Sequence, residues 1–164
     1  MQSTELAIRH PHLQRMYRYW QERCRGRPFP ARCDIDPLDF KYVLGNVMLL
    51  EVQYDPVRFF VRVHGSHMVE RARYDMTGKT IDQLPSSQYR DYVRDRCQRL
   101  LVERKPAALL NERILDERMW RYEVLWLPLS DDGDRIDRLM AVLIYEDQIN
   151  VREAAPPAAP AFAE

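Results

Sequence analysis

Apolar residues recur every three or four positions between Leu13 and Cys24, alternate with polar ones from Trp120 onward, and run unbroken from Leu139 to Tyr145. The three patterns predict, in turn, an amphipathic helix, a strand with one buried face, and a central strand buried on both faces. The helix starts at Pro11, a residue suited to the first helical position, and its stripe is Leu13, Met16, Tyr17, Trp20 and Cys24; Gly26, Pro28 and Pro30 stop it. Asp36 caps a second, short helix with Pro37 in its first turn and Gly45 as its stop. Together these make residues 11–46 an N-terminal helical extension behind a flexible stretch, 1–10.

Residues 47–54 read as the first strand, and Asp55-Pro56 as a turn into a second strand that ends at His64. Strict alternation puts Phe59, Val61 and Val63 on one face, with Arg58, Phe60, Arg62 and His64 on the other, so His64 falls on the sheet's outer surface. After Gly65 the pattern is lost. One helical turn is expected over 68–71, a left-handed bend at Thr77-Gly78, and anchoring in the core by Ile81 and Leu84. Ser86 or Ser87 caps a longer helix, with Tyr89, Tyr92, Val93, Arg96, Cys97, Leu100 and Leu101 as its stripe, up to Lys105-Pro106. Strands follow at 107–114, 120–129 and 139–145, and Asp131-Asp132-Gly133-Asp134 is a hairpin loop. The order is that of an α+β domain over 47–150, built on a five-stranded antiparallel sheet with helices on one face, plus the N-terminal amphipathic helix. The Ala/Pro-rich stretch 151–164 reads as a disordered tail.

Composition removes several function classes. The 164 residues suit about one domain, and an apolar fraction of 46% supports one core. The 25 basic and 25 acidic residues cancel, so neither nucleic acid nor an anionic membrane is an expected partner. All the basic residues but Lys41, Lys79 and Lys105 are arginines, spread along the chain among acids rather than clustered. Cys24, Cys33 and Cys97 give neither a C-x-x-C spacing nor a disulfide framework, and no apolar run approaches the roughly 20 residues a bilayer requires. A soluble, cytoplasmic protein is expected.

Several short patterns recur in a known order. They are Tyr19-Trp20 with Arg23 and Gly26-Arg27, Asp34-Ile35-Asp36-Pro37, Arg62-Val63-His64-Gly65-Ser66, Asp75-Met76-Thr77-Gly78-Lys79, and Tyr122-Glu123-Val124-Leu125 with Pro128-Leu129. Over about residues 13–147 the chain resembles a group of small PAS-like proteins found largely in proteobacteria. The resemblance implies a sensory or protein-interaction module rather than an enzyme, a sheet with intervening helices over a pocket, and no catalytic residues. PAS domains usually act beside a kinase, cyclase or transcription effector; with no room here for one, the module is expected to act in trans, on a signalling partner or as a homodimer.

The pocket implied between sheet and helices would be lined by Val61, Val63, Met68, Tyr74, Ile81, Val124, Trp126 and Leu143, unless these residues simply fill the core. The helix stripe Leu13, Met16, Tyr17 and Trp20 has two readings, packing on the domain's own core or joining a partner. Three function hypotheses follow. The first is a regulatory module working through protein contacts, tuned by a small ligand. The second is a cofactor-bearing sensor: His64 and His67, spaced H-x-x-H, are candidate haem or metal ligands. Neither a metal nor a tightly bound cofactor is expected, and no cysteine lies between Gly65 and Leu84 to form a flavin adduct. The third is a small α+β enzyme with Glu51 or Glu123 as its acid or base; no G-x-S-x-G, Walker loop, dinucleotide glycine pattern or H-E-x-x-H is present.

Overall fold

The computed structural model describes residues 6–115 and 118–146. Helix α1, Pro11–Cys24, begins at the proline and ends at Arg25 in the left-handed region. A 3₁₀ segment, Pro37–Asn46, is capped by the Asp36 carboxylate, which accepts the Leu38 N–H at 2.9 Å. Strands β1, Val47–Gln53, and β2, Arg58–His64, form a hairpin. Helix α2, Ser66–Ala72, and a 3₁₀ turn, Ile81–Gln83, lead to helix α3, Ser87–Glu103, whose cap is Ser86. Strands β3, Ala107–Leu115, β4, Arg118–Leu129, and β5, Arg138–Tyr145, complete one antiparallel sheet in the order β2-β1-β5-β4-β3. The expected tail 151–164 and residues 1–5 lie outside the described residues.

Register assigns the two faces of the sheet. Trp120, Tyr122, Val124 and Trp126 of β4 stand on the α3 side, opposite Leu143 and Tyr145 of β5 in the pairs Val124 with Leu143 and Tyr122 with Tyr145. Glu123, Leu125, Leu127 and Leu129 point the other way, toward α1. There the Trp20 indole N–H donates to the Pro128 carbonyl at 2.8 Å, and Glu123 accepts the N–H groups of Arg9 and His10 at 2.7 and 3.0 Å. Residues 6–10, expected to be flexible, are thus tied to β4.

The stripe of α1 is taken up within the chain. Leu13 and Met16 are fully buried and Trp20 nearly so, while Tyr17 is half-buried and stacks on Trp20. Complete burial of a Leu or Met side chain is worth about 1.5–3 kcal/mol. The sheet supplies that surface, so no second copy is needed to cover Leu13, Met16 and Trp20.

Two glycines fix how α2 meets the sheet. A Cβ on Gly65 would lie 2.3 Å from the Gly45 carbonyl oxygen, and one on Gly45 would meet the His67 ring at 2.9 Å. His67 is held there by an Nδ1 contact of 2.9 Å to Asn46 Oδ1, while the Asn46 amide donates to the Leu143 carbonyl at 2.7 Å. Past α2, Gly78 takes φ +83° and the chain returns along β2: Val61 N–H donates to Lys79 O and Gly78 N–H to Val61 O. Those bonds cover the sheet's outer edge.

Candidate functional site

A cavity of about 80 Å³ lies between the inner face of the sheet and the α2–α3 wall. Its apolar floor includes Met48, Val61, Met68 and Leu143, and its more polar side is formed by His64, Tyr74, Tyr89, Trp120, Tyr122 and Tyr145. Alternation along β4 delivers Trp120 and Tyr122 together. Tyr145 arrives through the β4–β5 register, and Tyr89 and Val93 lie one turn apart on α3.

Of the eight residues expected to line such a pocket, Val61, Met68, Tyr74, Ile81 and Leu143 do so. Val124 and Trp126 share the inner face but are buried outside the cavity. Val63 and His64 correct the expectation from alternation. Pairing runs Leu50 with Val61 and then Leu49 with Val63, so Arg62 is an extra residue, a bulge in β2. The phase of the strand reverses there. Val63 turns outward, 40% exposed, and His64 turns inward with only 6% of its side chain exposed.

His64 is held by the chain beyond α2. Its Nδ1 accepts the Met76 N–H at 3.1 Å and lies 3.8 Å from Asp75 Oδ1. With that lone pair engaged, the neutral ring carries its proton on Nε2. Burial pushes the His64 pKa below the ordinary imidazole value, and Asp75 only partly offsets this. The phenols go the other way: burial raises Tyr89 well above its usual value, Tyr122 to about 12, and Tyr145 likewise upward. At neutral pH the wall is therefore uncharged and rich in hydroxyl groups. Beside it, the Arg71 guanidinium sits 4.2 Å from the centre of the Tyr145 ring, and that of Arg113 lies 5.6 Å from Tyr89 and 3.2 Å from Tyr92.

The remaining candidates have structural partners. His67 is engaged with Asn46, away from the His64 contacts, and no group of three or more His, Cys, Asp or Glu among the described residues could hold a metal ion. Glu51 pairs with Arg62 at 2.7 Å, which holds its carboxyl below the usual range, and Glu123 anchors the Arg9 and His10 backbone. Cys97 is fully buried, and burial raises its thiol pKa, so it acts as a small hydrophobe. No helix among the described residues is long and apolar enough to cross a membrane.

The His64 shift gives a signed expectation. As pH falls below about 6.5, the unfolded chain takes up a proton that the folded histidine resists, so folding stability declines. Asp34, Glu51, Asp75, Asp131 and Asp132, all shifted down, stabilise the fold above the ordinary carboxylate pKa and lose that contribution only in stronger acid. Urea midpoints should therefore drop between about pH 7.5 and 5.5, and His64→Gln should flatten that drop. An equal drop in the variant would assign it elsewhere.

Comparison with known proteins places this architecture. A family model described as PAS domain matches residues 8–144, which takes in α1, the helical wall, β1 to β4 and all but the last residue of β5. The chain belongs to the PAS domain family. PAS domains are sensory modules, and this one includes α1 within its matched extent. Similar solved structures include the PAS domain of Bordetella pertussis BvgS, at 18% identity over 71% of this chain and 91% of that one, with a TM-score of 0.44. The Rhodobacter sphaeroides LOV protein is 12% identical over 77% of this chain and 78% of that one, with a TM-score of 0.48. No curated protein matches.

Proposed function

We propose that this PAS domain is a regulatory module whose cavity takes a small molecule and whose occupancy alters contacts with a signalling partner or a second copy of the chain. The observation that supports it is the aromatic cavity, roofed by the short elements α2 and Ile81–Gln83 rather than by the central strands. Short elements with few mutual contacts are the parts of a fold that reorganise at least cost. A ligand touching Met68, Tyr74 and Ile81 on one side and Tyr122 and Leu143 on the other joins that wall to the sheet.

Partner contacts fall outside Leu13, Met16 and Trp20, whose surface is already covered; Leu38, Val63 and Leu110 are among the exposed large apolar residues. An enzymatic reading has little to draw on, because Glu51 and Glu123 are both engaged in structural pairs.

Native mass spectrometry of freshly purified protein, with an absorption spectrum on the same sample, tests the proposal. The expected result is excess mass that is released on unfolding and is missing from a folded cavity-filling variant, Ala72→Phe, Ala72 lining the cavity at the end of α2. A clean mass for the native chain, or an adduct retained by that variant, contradicts it. A visible band would identify the molecule as a chromophore.

A further inference from the structure

The cavity's size, aromatic wall and flanking charges restrict what it can hold. A cavity of about 80 Å³ suits a small guest, such as one ring with a small substituent. Flat rings form one side: Trp120 and Tyr145 pack edge to face with centroids 6.1 Å apart, and Tyr122 is tilted against Tyr145 at 5.9 Å. A planar aromatic guest extends such an array.

Charge then separates the candidates. The lining carries neither an acid nor an arginine; of the flanking groups, Asp75 is largely solvent-exposed beside His64, whereas Arg71 is half-buried against the lining residue Tyr145. The Tyr145 ring, an obvious seat for a cation, already faces the Arg71 guanidinium at 4.2 Å. Arg71 is half-buried, with Glu70 as its acidic neighbour, and burial lowers its pKa. Arg113, paired in register with Trp120 on the same face and end of the sheet, has a buried Nε that finds no acceptor. A buried guanidinium nitrogen left unpaired is costly, and a carboxylate oxygen is the partner it suits best. His64, neutral and with Nδ1 engaged, offers a further N–H donor.

We propose that the cavity binds a small planar aromatic carboxylate, with its ring among Trp120, Tyr122 and Tyr145 and its charge directed to Arg71 and Arg113. This rests on the reading that the cavity is a small-molecule site and names the class of molecule. Benzoate is the simplest member, and benzyl alcohol and benzylamine are neutral and cationic molecules of nearly the same shape.

Calorimetric titration of the full chain, stripped by unfolding and refolding, with each of the three compounds decides the matter. Benzoate is expected to bind at least about tenfold more tightly than benzyl alcohol, the size of effect one charge-assisted pair gives, and benzylamine least tightly. Arg113→Gln should bring benzoate down to the affinity of benzyl alcohol measured on the same variant; Arg71→Gln supplies the same readout should Arg113→Gln not fold. Equal binding of benzoate and benzyl alcohol, or preference for benzylamine, overturns the assignment of an anion but leaves a small-molecule site in place. Failure of all three to bind overturns it as well, and the presence or absence of a copurified small molecule then decides separately whether the cavity reading stands.

Discussion

Replacing Gly65 with alanine is expected to destabilise the fold by about 4 kcal/mol, a large fraction of the roughly 5–15 kcal/mol that holds a domain folded. The new Cβ would sit 2.3 Å from the Gly45 carbonyl oxygen, 2.7 Å from its carbon and 2.9 Å from the Val47 oxygen. All three are backbone atoms where the 3₁₀ segment runs into β1, so no side chain can rotate away and the α2 junction itself must shift. For Gly45→Ala the nearest atoms are those of the His67 ring, which can move at the expense of its Asn46 contact; about 1–2 kcal/mol is expected. Gly78→Ala has open space around it and pays chiefly for φ +83°, about 1 kcal/mol. Urea denaturation of the three variants should rank them in that order. A near-native Gly65→Ala would mean that the close approach of the two chain segments is not required.

Trp20→Ala is expected to cost about 3–5 kcal/mol, the range for removing a large buried aromatic side chain. Trp20 is 6% exposed, stacks on Tyr17 and donates to the Pro128 carbonyl, so its loss opens a cavity over β4 and leaves that acceptor unpaired. The same residue separates two roles for α1. Were Leu13, Met16 and Trp20 a dimer seam, Trp20→Glu would give a folded monomer; with the stripe packed in cis, it should unfold the domain at any protein concentration. Denaturation followed alongside size-exclusion chromatography distinguishes these outcomes.

Most of the architecture was legible because its signals are local. Pro11 marks the start of α1, Asp36-Pro37 that of the 3₁₀ segment, and Ser86 caps α3, each where the structure has it. The unbroken run from Leu139 marks a central strand, as found, but the alternation from Trp120 implied one buried face, whereas Glu123, Leu125, Leu127 and Leu129 on the second face of β4 are buried too, on the α1 side. The candidate site was less legible, and the reason is one residue. Alternation gives a strand's two faces only if no residue is inserted, and the bulge at Arg62 exchanges the roles of Val63 and His64. A bulge is defined by the partner strand, so periodicity within β2 alone does not show it. Tyr89 and Tyr145 reach the cavity through the packing of α3 and the β4–β5 register, which are relations between distant segments. Trp120 and Tyr122 did carry a signal: they share the face of Val124 and Trp126, and following that alternation toward the start of β4 would have found them.

Under the proposed function, a small molecule in the cavity sets the state of the α2 wall. Hydrogen exchange, compared between freshly purified protein and the same sample stripped by unfolding and refolding, tests it most directly. Exchange is expected to be faster after stripping, confined to Ser66–Ala72, Ile81–Gln83 and the first turns of α3, with β4 and β5 unchanged. Identical exchange in the two samples, or a change spread evenly through the sheet, would contradict it.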